Sequence, residues 1–192
     1  SALMQMIKQN ILPRDIMTRK AFENSIVLNS AIGGSTNAPI HINAIARHVG
    51  VVLKIEDWEK IGLEIPMLVN LQPAGKYLGE DFHRAGGVPA VMNTLLKAGK
   101  LHDNSLTVNG KTVADNYANT TTKNTDVIST FLKPLIENAG FLILKGNICD
   151  AAVMKTSVIS DNFRTQYLSK PGSKNVFEVR AIVFEGPEDY HA

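Results

Sequence analysis

Cysteine is nearly absent: Cys149 stands alone among 192 residues. A lone thiol excludes an intramolecular disulfide framework and suits a reducing compartment. Nor can one cysteine supply the three or four thiolates of a metal cluster. Long hydrophobic runs are missing, so no transmembrane span is expected. The opening SALMQMIKQN lacks the apolar core and small-residue cleavage site of a signal peptide. No charge of one sign dominates: 20 Lys and Arg face 18 Asp and Glu, a formal net charge of +2. Without a basic run or interleaved aromatics, nothing points to a nucleic-acid partner. No G-x-S-x-G elbow, Walker loop, zinc spacing or G-x-G-x-x-G appears. What is present is an ordinary globular balance, 44% hydrophobic and 20% charged. The expectation is a soluble, cytoplasmic protein with no membrane partner.

Hydrophobic spacing predicts the elements. Residues 4–11 form a short amphipathic stretch closed by Pro13. Asp15 offers an N-cap for a helix running to about Ser30 and stopping at Gly33-Gly34. A second helix opens near Ser35 to Asn37, with Ala38, Ile42, Ile45 and Val49 as its buried stripe, and ends at Gly50. Residues 57–61 read as a short helix. PMLVNL (66–71), a continuous apolar run, reads as a buried parallel strand. QPAGKYLGEDFHRAGG follows as a charged loop, and residues 88–98 as a helix with Pro89 in its first turn. TVNGKTV carries a hairpin signal at Asn109-Gly110. Beyond a polar connector, FLILKGN, AVMKTSVIS and NVFEVRAIVFEG read as short strands, with one helical turn at FRTQYL. The fold class is therefore α/β: a helix-rich α/β part over 1–125, including the connector, then the start of a β-rich part over 126–192. Both ends look cut, as in a piece of a longer protein. Apolar surface bared by missing flanks could be covered in a fragment dimer.

Chemistry concentrates at two places. IGGSTNAPIHINAIARH sets Ser35, Thr36 and Asn37 behind a Gly-Gly turn at a helix mouth. Helix N-termini carry unpaired N–H groups and partial positive charge, and hydroxyl and amide side chains can hold a carboxylate, a phosphate or sugar hydroxyls. The plainer alternative is a helix cap. Glu80, Asp81, His83 and Arg84 could do acid–base work or hold a metal through oxygen. A solvated turn with local ion pairs explains them equally. His41 and His48 lie seven residues apart, too far for an i, i+4 metal pair, and read as structural. His102 and His191 carry no partner signal. Lys155 with Thr156 and Ser157 could bind an anion, but strand alternation explains them as well.

The strings IGGSTNAPIHINAIARH, LVNLQPAGKYLGEDFHRAGGVPAVMNTL, LKGNICDAAVMKTSVIS and FEGPEDYHA together resemble the dihydroxy-acid and sugar-acid (aldonate) dehydratase family, over 14–192. The forms QPAGKYLGEDFHRAGG, MKTSVIS and GPEDYHA are more similar to its sugar-acid branch. The resemblance implies a hydro-lyase that converts a 2,3-dihydroxy acid to a 2-keto-3-deoxy acid. It implies an iron–sulfur cluster as Lewis acid, a Mg²⁺ ion on the substrate and a serine base. It also implies an α/β N-terminal domain, a β-barrel-like C-terminal domain and a cleft between them, in what is expected to be a homo-oligomer.

The chain departs from that pattern. The cluster cysteines of the family lie in motifs upstream, and the catalytic serine and late metal-binding glutamate in a Gly-rich segment downstream. None is here, and Glu185 in FEGPED is not that glutamate. The chain therefore resembles a central fragment. The expectation is no catalytic residue, no metal ligand and no cofactor in this piece, which alone should be inactive. Substrate contact is assigned to Ser35, Thr36 and Asn37, and to Asp81, His83 and Arg84. Two alternatives stay open: a dihydroxy-acid dehydratase of branched-chain amino-acid biosynthesis, and a noncatalytic binding or assembly module.

Overall fold

The computed structural model describes residues 2–147, 150–163, 165, 180 and 182–190. Cys149, His191 and most of FRTQYL and NVFEVR lie outside the described residues. The chain divides into two compact units, 1–158 and 159–192.

The first unit is mostly helical. Its elements are α1 (Ala2–Lys8), α2 (Pro13–Ile16), α3 (Arg19–Ala31), α4 (Asn37–His48), α5 (Glu56–Gly62), α6 (Gly79–Arg84), α7 (Gly87–Lys97) and α8 (Val113–Tyr117). The strands β1 (Phe141–Leu144) and β2 (Ala152–Lys155) follow, then a 3-10 turn at Thr156–Val158. Among its described residues the second unit shows two short helices, α9 (Asp161–Phe163) and α10 (Pro187–Tyr190). Among the described residues no helix is long and apolar enough to cross a membrane.

Local chemistry sets several boundaries. Pro13 opens α2, where its missing N–H costs nothing, and Asp15 reaches back to accept from Leu12 N at 2.8 Å. Asp15 thus serves α2. The cap of α3 is Thr18, whose side chain accepts from Ala21 N, so the expected assignment was one turn early. The stripe of α4 also shifts. Pro39 and Ala46 are buried, Ala38, Ile42 and Val49 half-buried, while Ile45 is exposed. QPAGKYLGEDFHRAGG is not all loop, since Gly79–Arg84 winds into α6.

The apolar run 66–71 is buried as expected but is not a strand of a parallel sheet. Met67 bridges Ile136 and Val69 bridges Ile128, both antiparallel and isolated. Leu68 N donates to Ala31 O at 2.7 Å, and Leu68 O accepts from Ser129 N at 2.8 Å. An apolar run specifies burial on both faces; it does not specify which backbone pairs with it. Asn109-Gly110 does turn the chain, with Thr107 N donating to Lys111 O and a single Leu106–Thr112 bridge. Thr112 then caps α8, which stops the hairpin from growing.

The main core joins Val27 and Ala31 of α3, Ile65, Leu68 and Val69, Val91 and Leu95 of α7, and Val127 and Ile128. A second cluster sets Trp58 of α5 edge-on to Phe141 of β1, centroids 5.7 Å apart, with Ile26 of α3 beneath. The Trp58 indole N–H donates to Asn43 Oδ1 at 2.9 Å, so its burial leaves no orphan donor. Gly140 lets the chain entering β1 approach the end of α5 this closely. A β-carbon there would stand 2.1 Å from the Gly62 carbonyl oxygen.

A charged clamp ties the helices together. Arg19 reaches Glu23 at 2.7 Å and both carboxylate oxygens of Asp57 at 2.9 Å. His102 Nε2 lies 2.6 Å from the other Glu23 oxygen, a partner for which the sequence carried no signal. Asn24 and His102 exchange two side-chain-to-backbone bonds, at 2.8 and 3.0 Å. The Arg19 hydrogen bond, outweighing desolvation, holds Asp57 below its ordinary pKa. Burial pushes Glu23 upward, but the combined bonds from Arg19 and His102 outweigh it and leave Glu23 low.

Candidate functional site

The Gly-Gly turn is the end of one helix and the entry to another. Gly33 N donates to Ser30 O at 3.1 Å and Gly34 N to Asn29 O at 2.8 Å. This double closure needs a left-handed residue after the cap, and Gly33 supplies it with φ 65°. Three residues after Gly34, α4 begins at Asn37. Ser35 Oγ accepts from Asn37 N at 3.1 Å, and Ser35 O accepts from Ala38 N at 3.1 Å. Ser35 therefore closes the first turn of α4, while Ser35, Thr36 and Asn37 are all exposed. The N-cap residue itself, Thr36, makes no side-chain cap bond.

What lies behind the turn comes from 122 residues away. The Lys155 ammonium donates to Gly33 O. The β1–β2 register explains how. Phe141 pairs with Lys155 and Ile143 with Val153 in an antiparallel ladder, and directly opposed residues share a face. Phe141 and Ile143 are buried, so Lys155 stands on the core-facing side, where alternation calls for an apolar residue. Its burial pushes the ammonium pKa down. Among the described residues no carboxylate lies within ion-pair distance of it. Its partner is instead the Gly33 carbonyl, two residues past the end of α3, whose own last carbonyls already accept backbone N–H groups. Strand alternation alone, which would send Lys155 to solvent, does not account for this placement. Beside it, Ser157 Oγ is buried with no hydrogen-bond partner among the described residues. That oxygen would stand 3.9 Å from a β-carbon on Gly33, and Met67 Sδ only 2.9 Å.

The second predicted group is arranged differently. Asp81 Oδ2 accepts from Leu78 N at 3.1 Å and so caps α6. Arg84 pairs with Glu80 at 2.5 Å, one turn apart, with both side chains more than 70% exposed. His83 is exposed. A cavity of about 250 Å³ touches Asp81 and Arg84 and is closed by Tyr77, Lys123 and Asn124. Ser35, Thr36 and Asn37 do not line it. Helix α4 packs on α3, and α6 packs on α7. A larger hollow of about 550 Å³, which sequence patterns did not signal, lies between α7 and residues 121–132, with Asn93, Lys97 and Phe131 in its wall. It is assembled by tertiary packing, which leaves no local pattern to read.

Among the described residues no group of three or more His, Cys, Asp or Glu side chains is placed to hold a metal ion. Cys149 is the chain's one thiol. These residues do not fit an iron–sulfur cluster or a multi-carboxylate magnesium site. The exposed hydroxyls and the amide can instead hold a carboxylate or hydroxyl groups of a small acid.

Comparison with known proteins gives a consistent result. Residues 1–116 match the family model described as dihydroxy-acid/6-phosphogluconate dehydratase, N-terminal. A D-xylonate dehydratase of Caulobacter vibrioides is 56% identical over 182 residues, covering 95% of this chain and 30% of that protein. An L-arabinonate dehydratase of Rhizobium leguminosarum bv. trifolii is 44% identical, over 99% of the chain and 31% of its own length. A dihydroxy-acid dehydratase of Acidothermus cellulolyticus is 43% identical, over 97% and 32%. The chain thus spans about a third of the length of the curated relatives it matches.

Proposed function

The chain belongs to the dihydroxy-acid/6-phosphogluconate dehydratase family, and on that premise we propose that the whole protein is a hydro-lyase dehydrating a sugar acid to its 2-keto-3-deoxy acid. The observation that carries the sugar-acid reading is the 56% identity to a D-xylonate dehydratase, against 43% to a dihydroxy-acid dehydratase. The branched-chain reading is the second one, supported by the several dihydroxy-acid dehydratases above 40% identity.

In this reading the chain supplies binding surface. Ser35, Thr36 and Asn37, at the N-terminal end of α4, bind the acid through hydroxyl and amide donors. Asp81, His83 and Arg84 form a second candidate set, accessible but held only by local bonds. The iron–sulfur cluster and Mg²⁺ of the whole enzyme would be held by residues outside this chain, so this piece alone is inactive. The whole protein is proposed to be a cytoplasmic homo-oligomer with a β-barrel-like domain starting near residue 126. Within the chain itself, Val127 and Ile128 pack into the helical core.

Full-length protein purified without oxygen tests this. Formation of 2-keto-3-deoxy acid is assayed from D-xylonate, L-arabinonate and 2,3-dihydroxyisovalerate. The expected result is turnover of a sugar acid. Turnover of dihydroxyisovalerate alone would move the protein to the branched-chain branch. No turnover of any substrate, with cluster absorbance present, would favour a noncatalytic module.

A further inference from the structure

We propose that Lys155 is a positioning residue for the Gly33–Asn37 turn: from the core-facing side of β2 it fixes the Gly33 carbonyl, and thereby the direction in which the start of α4 presents its donors. The inference rests on the reading of that turn as the acid-binding loop, and three observations carry it.

The first is placement. Lys155 opposes Phe141 across the ladder and so shares the buried face. A lysine there costs desolvation that a leucine or valine would not. Its ammonium is compensated there by the bond it donates to the Gly33 carbonyl in the turn after α3.

The second is economy of contact. Gly33 O is the last point before the chain turns from α3 into α4. Gly33 N and Gly34 N already close the end of α3. Holding the carbonyl between them fixes the remaining freedom of a residue at φ 65°. A side-chain bond from β2 thus couples the hairpin to the elbow across 122 residues.

The third is packing. The absent side chain of Gly33 leaves a gap walled by Met67 Sδ and by the buried, unpartnered Ser157 Oγ. Ser157 lies two residues beyond Lys155 in the same strand-to-turn segment. Both sides of the elbow are therefore shaped by one stretch, Lys155 to Ser157. The bond Lys155 makes is to the Gly33 carbonyl, so it acts through the backbone of the turn.

The test compares wild type, K155M and K155R in the full-length protein. Hydrogen exchange is followed in peptides covering 32–40, with 79–87 as internal control. K155M is expected to speed exchange at 32–40 at least tenfold and to leave 79–87 unchanged. K155R, which keeps a cationic donor, is expected to stay within threefold of wild type. Unchanged exchange at 32–40 in K155M overturns the proposal. If K155M does not fold cooperatively, K155Q takes its place with the same expected result. Steady-state kinetics on the sugar acid then separates positioning from stability. K155M should raise KM about tenfold with kcat within threefold, and K155R should rescue KM. A loosened turn with unchanged KM overturns the positioning role. If the wild type turns over none of the acids, the functional reading fails, while the exchange comparison still decides whether Lys155 holds the turn.

Discussion

The turn at 33–37 and the charged helix at 79–84 look alike in sequence: small or polar residues beside glycine, at a helix start. Their supports differ. The first is held from β2 by Lys155 and walled by Met67 and Ser157. The second also rests on the core through Phe82, but its polar side chains are held by an i, i+4 pair between two exposed residues and by the cap at Asp81. Long-range support fixes a surface in one orientation; exposed local pairs contribute little. The Arg19 clamp repeats the contrast, since its partners Asp57 and His102 come from distant segments.

The largest breaks should come from Gly140 and Trp58. A β-carbon at Gly140 meets the Gly62 carbonyl oxygen at 2.1 Å, a backbone atom that cannot step aside. G140A is expected to cost about 3 kcal/mol, at the upper end of overpacking effects, and to free the hairpin that carries Lys155. Denaturant titration checks it; an unchanged midpoint would mean that the hairpin is not docked there. W58A, which empties the pocket under Phe141, should cost about 3–5 kcal/mol by the same measurement.

G33A sharpens the comparison directly. The left-handed conformation costs a residue with a side chain about 1–2 kcal/mol, and Met67 must also shift. G79A is the control: nothing lies within 4 Å of its β-carbon position and its φ is not in the left-handed region. It should be neutral or stabilising by up to ~1 kcal/mol. Equal effects at the two glycines would remove the distinction.

Acid should weaken the clamp. Glu23 and Asp57 titrate below their ordinary values in the folded chain. Their stabilisation is therefore fully present above the unfolded-state values near pH 4 and is lost as pH falls through the lower folded values. R19M should flatten that dependence and cost about 1–2 kcal/mol at neutral pH, because Arg19 is partly exposed and its charged bonds are screened. Thermal melts from pH 7 to pH 3 on both proteins check the slope. The smallest effect belongs to the exposed pair: E80A or R84A should change stability by no more than about 0.5 kcal/mol.

Much of this was legible in the sequence. Gly33-Gly34 stopped one helix, Pro89 marked the first turn of α7, and the apolar run 66–71 was buried. These signals are local, so periodicity and backbone preference reveal them. The partners were not legible. Nothing near PMLVNL says that it pairs with Ile128 and Ile136. Asp15 and Thr18 are equally good caps until the chain chooses. Alternation read Lys155 as solvent-facing, and only the register with Phe141 puts it inward. The candidate residues were visible by type at both places; what supports each one depends on contacts far along the chain.

The central claim is that the tethered turn, rather than the charged helix, carries substrate contact. Steady-state kinetics of N37A and R84A in the full-length protein, with a pentonate as substrate, test it most directly. Loss of a hydrogen bond to a charged acid is worth about 1.5–3 kcal/mol, so N37A should lower kcat/KM at least tenfold, while R84A should stay within twofold. A tenfold loss in R84A with N37A unchanged would contradict the account and move the acid to α6.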